Sequence, residues 1–208
     1  MYKRQADNFA FNYPDANAAG QWYRFNRDRT GDLEFHPNMA AIMMETQDTN
    51  RLNVMNNTFV TTHPYLVPDF NQELVTYREM QFIIAEANVR GANDQAGHDA
   101  YVNGIRASFD RLGLGQAAFD EYMTQAGVDP GVGNLTLEDV MTQKYVAMFL
   151  QPETYSDWRR TGFPTLTPVS GNAIPVRWDY AGDEYLFNSS APADGSVDVF
   201  ADKVGWNR

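Results

Sequence analysis

The chain has 208 residues, 43% hydrophobic and 21% charged, which is enough apolar content for one buried core and too much for a disordered segment. Its 16 basic and 27 acidic residues leave a net charge of −11, which disfavours nucleic acid and anionic membrane surfaces as partners. There is no cysteine, so disulfides, zinc–thiolate sites and thiol nucleophiles are excluded, and no apolar run reaches the roughly 20 residues that cross a bilayer as a helix.

Residues 6–36 mix Asn, Gly and Asp with aromatics and hold no sustained period, the pattern of a loop-rich segment. Within it Phe9, Phe11, Tyr13, Trp22, Tyr23 and Phe25 interleave with Asn8, Asn12, Gln21, Arg24 and Arg27. Sugar rings present apolar C–H faces to aromatic planes and hydroxyls to amides and guanidinium groups. The mixture therefore suits glycan binding, and Trp22, Tyr23, Arg24 and Phe25 are the candidate ligand contacts. The competing reading makes these aromatics anchors of an irregular segment on the core. Pro37–Thr46 reads as a short helix, whereas Arg51–Thr62, rich in Asn, reads as irregular or weakly extended.

From Gln72 to Arg90, Tyr77, Met80, Ile84 and Ala87 recur at steps of three and four, which predicts a helix buried along that stripe and stopped near Gly91 and Asn93. A second helix over about Ala96–Leu112 places Tyr101, Ile105, Phe109 and Leu112 on one face and ends at Gly113. The pair forms an αα-hairpin of the tetratricopeptide kind, although no second copy recurs at the 34-residue period. A third helix covers about Ala117–Gln125. A fourth opens at Thr136, with Asp139 placed for a capping box, and runs to Leu150. Pro152 interrupts, and Glu153–Arg160 forms a short helix closed by Gly162. The tail is Pro-, Gly- and Asp-rich, with extended pieces near Ala173–Trp178 and a helical turn at Asp183–Phe187. The expected organisation is one mainly α unit: a loop-rich ligand-side segment over 1–70, a helical core over 71–162 and a wrapping tail over 163–208. Tyr77, Ile84, Ile105, Phe109, Val140, Phe149 and Trp158 are expected to share a core.

Other chemistry is sparse. Arg159 and Arg160 read as helix-end caps and ion-pair partners rather than as ligand forks. Glu79 and Glu86 lie seven apart on one helix face, as an acid/base pair would. Glu86, set among Ile83, Ile84, Ala85 and Ala87, reads instead as a buried partner of an arginine such as Arg106 or Arg159. His36, His63 and His98 show no metal-ligand spacing, and no nucleophile or dinucleotide fingerprint occurs, so neither metal nor cofactor is expected.

Leu74–Gly91 (LVTYREMQFIIAEANVRG), Trp158–Pro164 (WRRTGFP), Ile174-Pro175-Val176-Arg177 with Tyr180, Glu184 and Asn188, and Val204–Asn207 follow one another in order. Together they resemble signatures of the SusD/RagB family of nutrient-binding outer-membrane lipoproteins, and Asp48-Thr49-Asn50-Arg51 is similar to a further family motif upstream. The resemblance implies a SusD-like helical fold with long irregular loops, no catalysis, and an oligosaccharide or peptide ligand. It also implies a SusC-like TonB-dependent transporter as partner at the extracellular face of the outer membrane, with membrane attachment only through a lipid anchor. Members begin with a signal peptide and a lipidated cysteine and are much longer, so the chain reads as the C-terminal portion of such a protein. A free-standing tetratricopeptide-like interaction scaffold is the rival reading.

Overall fold

Pro37 opens the first helix, α1 (Pro37–Glu45), where a missing N–H costs nothing because the first turn has no internal acceptor for it. The structure is a computed structural model and describes residues 35–56, 73–168, 171, 173–193 and 195–205. Among these residues there are helices and no strands, so the chain is mainly α as expected. The candidate contacts Trp22, Tyr23, Arg24 and Phe25 lie outside the described residues.

Helix α2 (Thr49–Met55) occupies part of the stretch expected to be irregular. Propensity argued against a helix there, and burial of Arg51 overrides it. The guanidinium is fully buried and its Nε donates to Asp48 Oδ2 at 2.7 Å, holding the turn between the two residues in helical form.

Helices α3 (Tyr77–Arg90) and α4 (Asp94–Arg111) make the expected hairpin and share the most extensive helix–helix packing among the described residues. Thr76 caps α3 by accepting the Glu79 N–H at 3.2 Å. The connection turns through Ala92 in the left-handed region, φ 54°. On α4 the buried stripe is the expected one, with Tyr101, Ile105 and Phe109 inside. On α3 it is not. Tyr77, Met80 and Ile84 are exposed, and the buried face carries Arg78, Phe82, Ala85 and Glu86. The physical reason is that this face pairs a ring with a gap and two charges with partners. Phe82 packs against Gly104, where a Cβ would approach the ring to 2.9 Å, and Arg78 and Glu86 are each neutralised by ion pairs.

Helices α5 (Gln116–Met123), α6 (Leu137–Ala147), α7 (Glu153–Thr161) and α8 (Gly182–Phe187) follow. The capping box that opens α6 is present, with Thr136 and Asp139 exchanging side-chain and backbone bonds at 2.9 and 3.2 Å. The expected single core is two clusters. Phe82, Tyr101, Ile105, Phe109, Phe119, Tyr122 and Val140 form one, centred on α3–α6. Met39, Met43, Met55, Leu112 and Val146 form the other, against which Phe149 packs. Trp158 is half-buried and belongs to neither.

The tail returns across this bundle. Asn38 on α1 exchanges two hydrogen bonds with the backbone of Thr167, at 2.8 and 3.1 Å. Further on, the Val176 N–H donates to Val199 O at 2.8 Å. That bond ties two tail segments together, and no strand forms at 173–178.

Candidate functional site

Helix α7 is the element around which the surface features gather. Its C-terminus is set by Gly162 in the left-handed region, whose N–H returns to Trp158 O at 2.7 Å. Arg159 and Arg160, adjacent in the last turn, point about 100° apart around the helix. Arg160 reaches back to α3, where Nη2 meets Glu86 Oε2 at 2.8 Å and Nη1 meets Oε1. Glu86 also accepts from Arg90 Nε at 2.9 Å. Asp157 bridges Arg160 at 2.8 Å and Lys144 of α6 at 2.6 Å. The sequence reading named Arg106 or Arg159 as the partner of Glu86. The structure supplies Arg160 and Arg90 instead, because Arg106 pairs with Asp110 on its own helix and Arg159 turns away toward the tail.

This network decides against an acid/base pair on α3. Burial pushes the Glu86 carboxyl up, but hydrogen bonds from Arg160 and Arg90 outweigh it and hold the group below its ordinary range. It stays an anion with its oxygens occupied. Glu73 is similar: burial raises it, and bonds from Arg78 and Arg111 lower it further than burial raises it. The fully buried cation Arg51 donates to Ser108 and to Gln143 at 3.1 Å each, and its Cζ lies 4.8 Å from both the Phe109 and Tyr122 ring centroids. Burial would lower its pKa, but Asp48 and Tyr122 together more than restore it. It is out of reach of any ligand. Among the described residues, no group of three His, Asp or Glu is placed to hold a metal ion.

Open surface is found on the other side of α7, around Tyr155. Its ring stacks on Trp158 (6.2 Å between centroids, 15° between planes) and meets Trp178 edge-on (6.4 Å, 65°). The Arg159 guanidinium lies 4.6 Å from its centroid, and its hydroxyl donates to Pro175 O at 2.6 Å. Tyr155 thereby separates two clefts. One, of about 370 Å³, is bounded by His36, Asn38, Tyr145, Thr154, Trp158 and Thr167. The other, of about 770 Å³, is bounded by Pro152, Ser156, Arg159, Arg177, Trp178 and Asp179. Both volumes fall in the range of sites for small organic ligands. Neither Tyr155 nor Trp178 stood out in the sequence. The available signals were the Tyr155/Trp158 spacing on one helical face and an indole flanked by Arg177 and Asp179 in a segment without hydrophobic period.

Among the described residues no helix is long and apolar enough to cross a membrane. No curated protein matches the chain. A solved SusD-like protein of Bacteroidetes shares the fold, with a TM-score of 0.55 and 23% identity over 78% of this chain and 39% of that one. The chain therefore spans well under half the length of that structure. A family profile described as starch-binding and associating with the outer membrane matches residues 14–181, and on that match the chain belongs to the SusD-like family.

Proposed function

We propose that this chain is the C-terminal portion of a non-catalytic, lipid-anchored surface protein. It captures oligosaccharide and passes it to a SusC-like TonB-dependent transporter in the outer membrane. The observation that carries the reading is the family match over residues 14–181. The geometry supports it. The carboxylates that sequence spacing offered for hydrolysis are not poised for it, since Glu86 is locked between arginines, and the open clefts are walled by aromatic rings. Rings of this kind hold sugars by their apolar faces and let them go again, as a delivery protein must. Within this reading the loop-rich segment 1–70 supplies ligand contacts through Trp22, Tyr23, Arg24 and Phe25, the helical core 71–162 positions it, and the tail 163–208 wraps the core.

The test is native electrophoresis of the purified chain through gels containing soluble starch, other neutral polysaccharides or casein peptides, alongside a reducing-end assay. Retardation by starch without release of reducing ends is expected. Retardation by peptides alone would redirect the cargo, and sugar release that is lost in Glu79→Gln or Glu86→Gln would replace capture by hydrolysis. For the hand-off, the anchored full-length protein should co-purify with a TonB-dependent transporter from detergent-solubilised outer membranes. Its recovery free of any transporter would overturn that step.

A further inference from the structure

Trp178 stands 79% exposed beside a cleft that is already built around it. Its position is fixed from several sides. Tyr155 is clamped by its stack on Trp158 and by its hydroxyl bond to Pro175 O, and it meets the indole edge-on. The Val176–Val199 backbone bond pins the segment two residues before it, and Arg177 Nε donates to the Trp178 carbonyl at 3.1 Å. An indole held this firmly in the open forgoes the burial that normally rewards it, so its exposed plane is available to a ligand. Pro152, Pro175 and Val199 continue the apolar wall, and Ser156, Arg177 and Asp179 stand on the polar rim.

We propose that this cleft, between Tyr155 and Trp178, is a stacking subsite for a short neutral oligosaccharide, separate in the chain from the aromatic residues of 1–36. The proposal rests on the capture reading above and adds a site and a ligand class to it. A sugar hydroxyl both donates and accepts, and the rim offers both complements: guanidinium N–H groups to donate and the Asp179 carboxylate to accept. Asp179 is held by the Tyr185 hydroxyl at 2.5 Å and the Tyr180 N–H at 2.8 Å, which fixes it as an anion at the mouth of the cleft. Asp179 offsets one of the two guanidinium charges lining the cleft, Arg159 and Arg177, and the chain's net charge of −11 disfavours densely anionic uronate or sulfated chains, so a neutral glycan is the fitting class. A cleft of about 770 Å³ has room for more than one ring, so a short oligosaccharide fits better than a monosaccharide.

The experiment measures affinity of the full chain for soluble starch and for polygalacturonate by titration calorimetry, in the wild type, Trp178→Ala and Trp178→Tyr, with melting temperature recorded for each. Loss of one stacking plane is expected to weaken starch binding by roughly 5- to 150-fold in Trp178→Ala. The melting temperature should be unchanged, Trp178→Tyr should recover most of the affinity, and polygalacturonate should bind more weakly than starch throughout. Unaltered starch affinity in Trp178→Ala overturns the subsite while leaving the capture reading in place. An earlier melt of Trp178→Ala makes the indole part of the tail packing and also overturns it. Tighter binding of polygalacturonate overturns the neutral-ligand assignment, and a wild-type chain that binds no polysaccharide overturns subsite and capture reading together.

Discussion

Arg160 and Glu86 stand 74 positions apart in the chain and meet through two parallel hydrogen bonds. The contact fastens the end of α7 to the middle of α3, and the side chains are 34% and 10% exposed, so water screens it only in part. Arg160→Ala leaves Glu86 with Arg90 alone and Asp157 with Lys144 alone. A loss of about 1–3 kcal/mol is expected, the usual cost of stripping one partner from a charged, mostly buried group. Denaturant unfolding measures it, and a loss indistinguishable from zero would make the pair an ornament of the surface.

Acid should destabilise the fold through the same chemistry. Glu73 and Glu86 both lie below their ordinary value of 4.5 in the folded chain, burial raising each and its arginine partners lowering it by more. A depressed folded pKa means that the folded state holds the proton more weakly than the unfolded state. The stabilisation is therefore complete above about pH 4.5 and disappears as pH falls through the lower folded values. Unfolding midpoints taken from about pH 7 down to about pH 3 should fall steeply in the wild type and less steeply in the Glu73→Gln/Glu86→Gln double variant. Parallel curves would refute the assignment.

Gly104→Ala should destabilise, although alanine favours a helix interior by about 1 kcal/mol over glycine. The new methyl group would come within 2.9 Å of the Phe82 ring, which is fully buried and hemmed in by Tyr101. Overpacking of about 1–3 kcal/mol outweighs the propensity gain. Phe82→Leu in the same chain should restore part of the loss, and the double-mutant cycle checks whether the two sites are coupled.

Phe109→Ala should cost about 3–5 kcal/mol, because the ring is fully buried between Phe119 and Tyr122 and under Arg51. Trp158→Ala should cost less, about 1–2 kcal/mol, because its ring is half-buried and lies against Tyr155 at the edge of the bundle. Equal losses would return Trp158 to the core.

For the loop-rich segment, Trp22 is favoured over Tyr23 as a ligand contact because Gly20 and Gln21 beside it leave room for a ring. Trp22→Ala is expected to weaken starch binding by roughly 5- to 150-fold with little change in melting temperature. Calorimetry showing full affinity, or a variant that fails to fold, would make Trp22 an anchor of its segment.

Local features of this fold were legible in the sequence, and features that depend on distant partners were not. The capping box at Thr136 and Asp139 and the glycine stop at Gly162 involve residues within one turn, so pattern and structure agree. The buried face of α4 was legible because Tyr101, Ile105 and Phe109 keep an apolar helical period along it. On α3 a count of apolar spacing picked Tyr77, Met80 and Ile84, because Arg78 looks like a surface residue until Glu73 arrives to neutralise it; Glu86 was readable as an arginine's buried partner, but not which arginine. Arg51 misled for the same reason, since a helix around a buried cation has no periodic signature. The fold family was nonetheless readable from ordered motifs. The Tyr155–Trp178 cleft was not, because only the return of the tail onto α7 brings those two rings together.

The Arg51 guanidinium also makes four helices interdependent. It leaves α2, lies over the rings of Phe109 of α4 and Tyr122 of α5, and ends on Gln143 of α6, which itself donates to the Tyr122 hydroxyl at 2.7 Å. A helix as short as α2, seven residues, has no persistence of its own in water. It cannot fray independently either, since lifting it would draw the buried Arg51–Asp48 pair away from the two rings and leave Ser108 and Gln143 without their donor. This short, Asn-rich helix is thereby bound into the same cooperative opening unit as the longest helix among the described residues, and the two gain or lose their protection from solvent together.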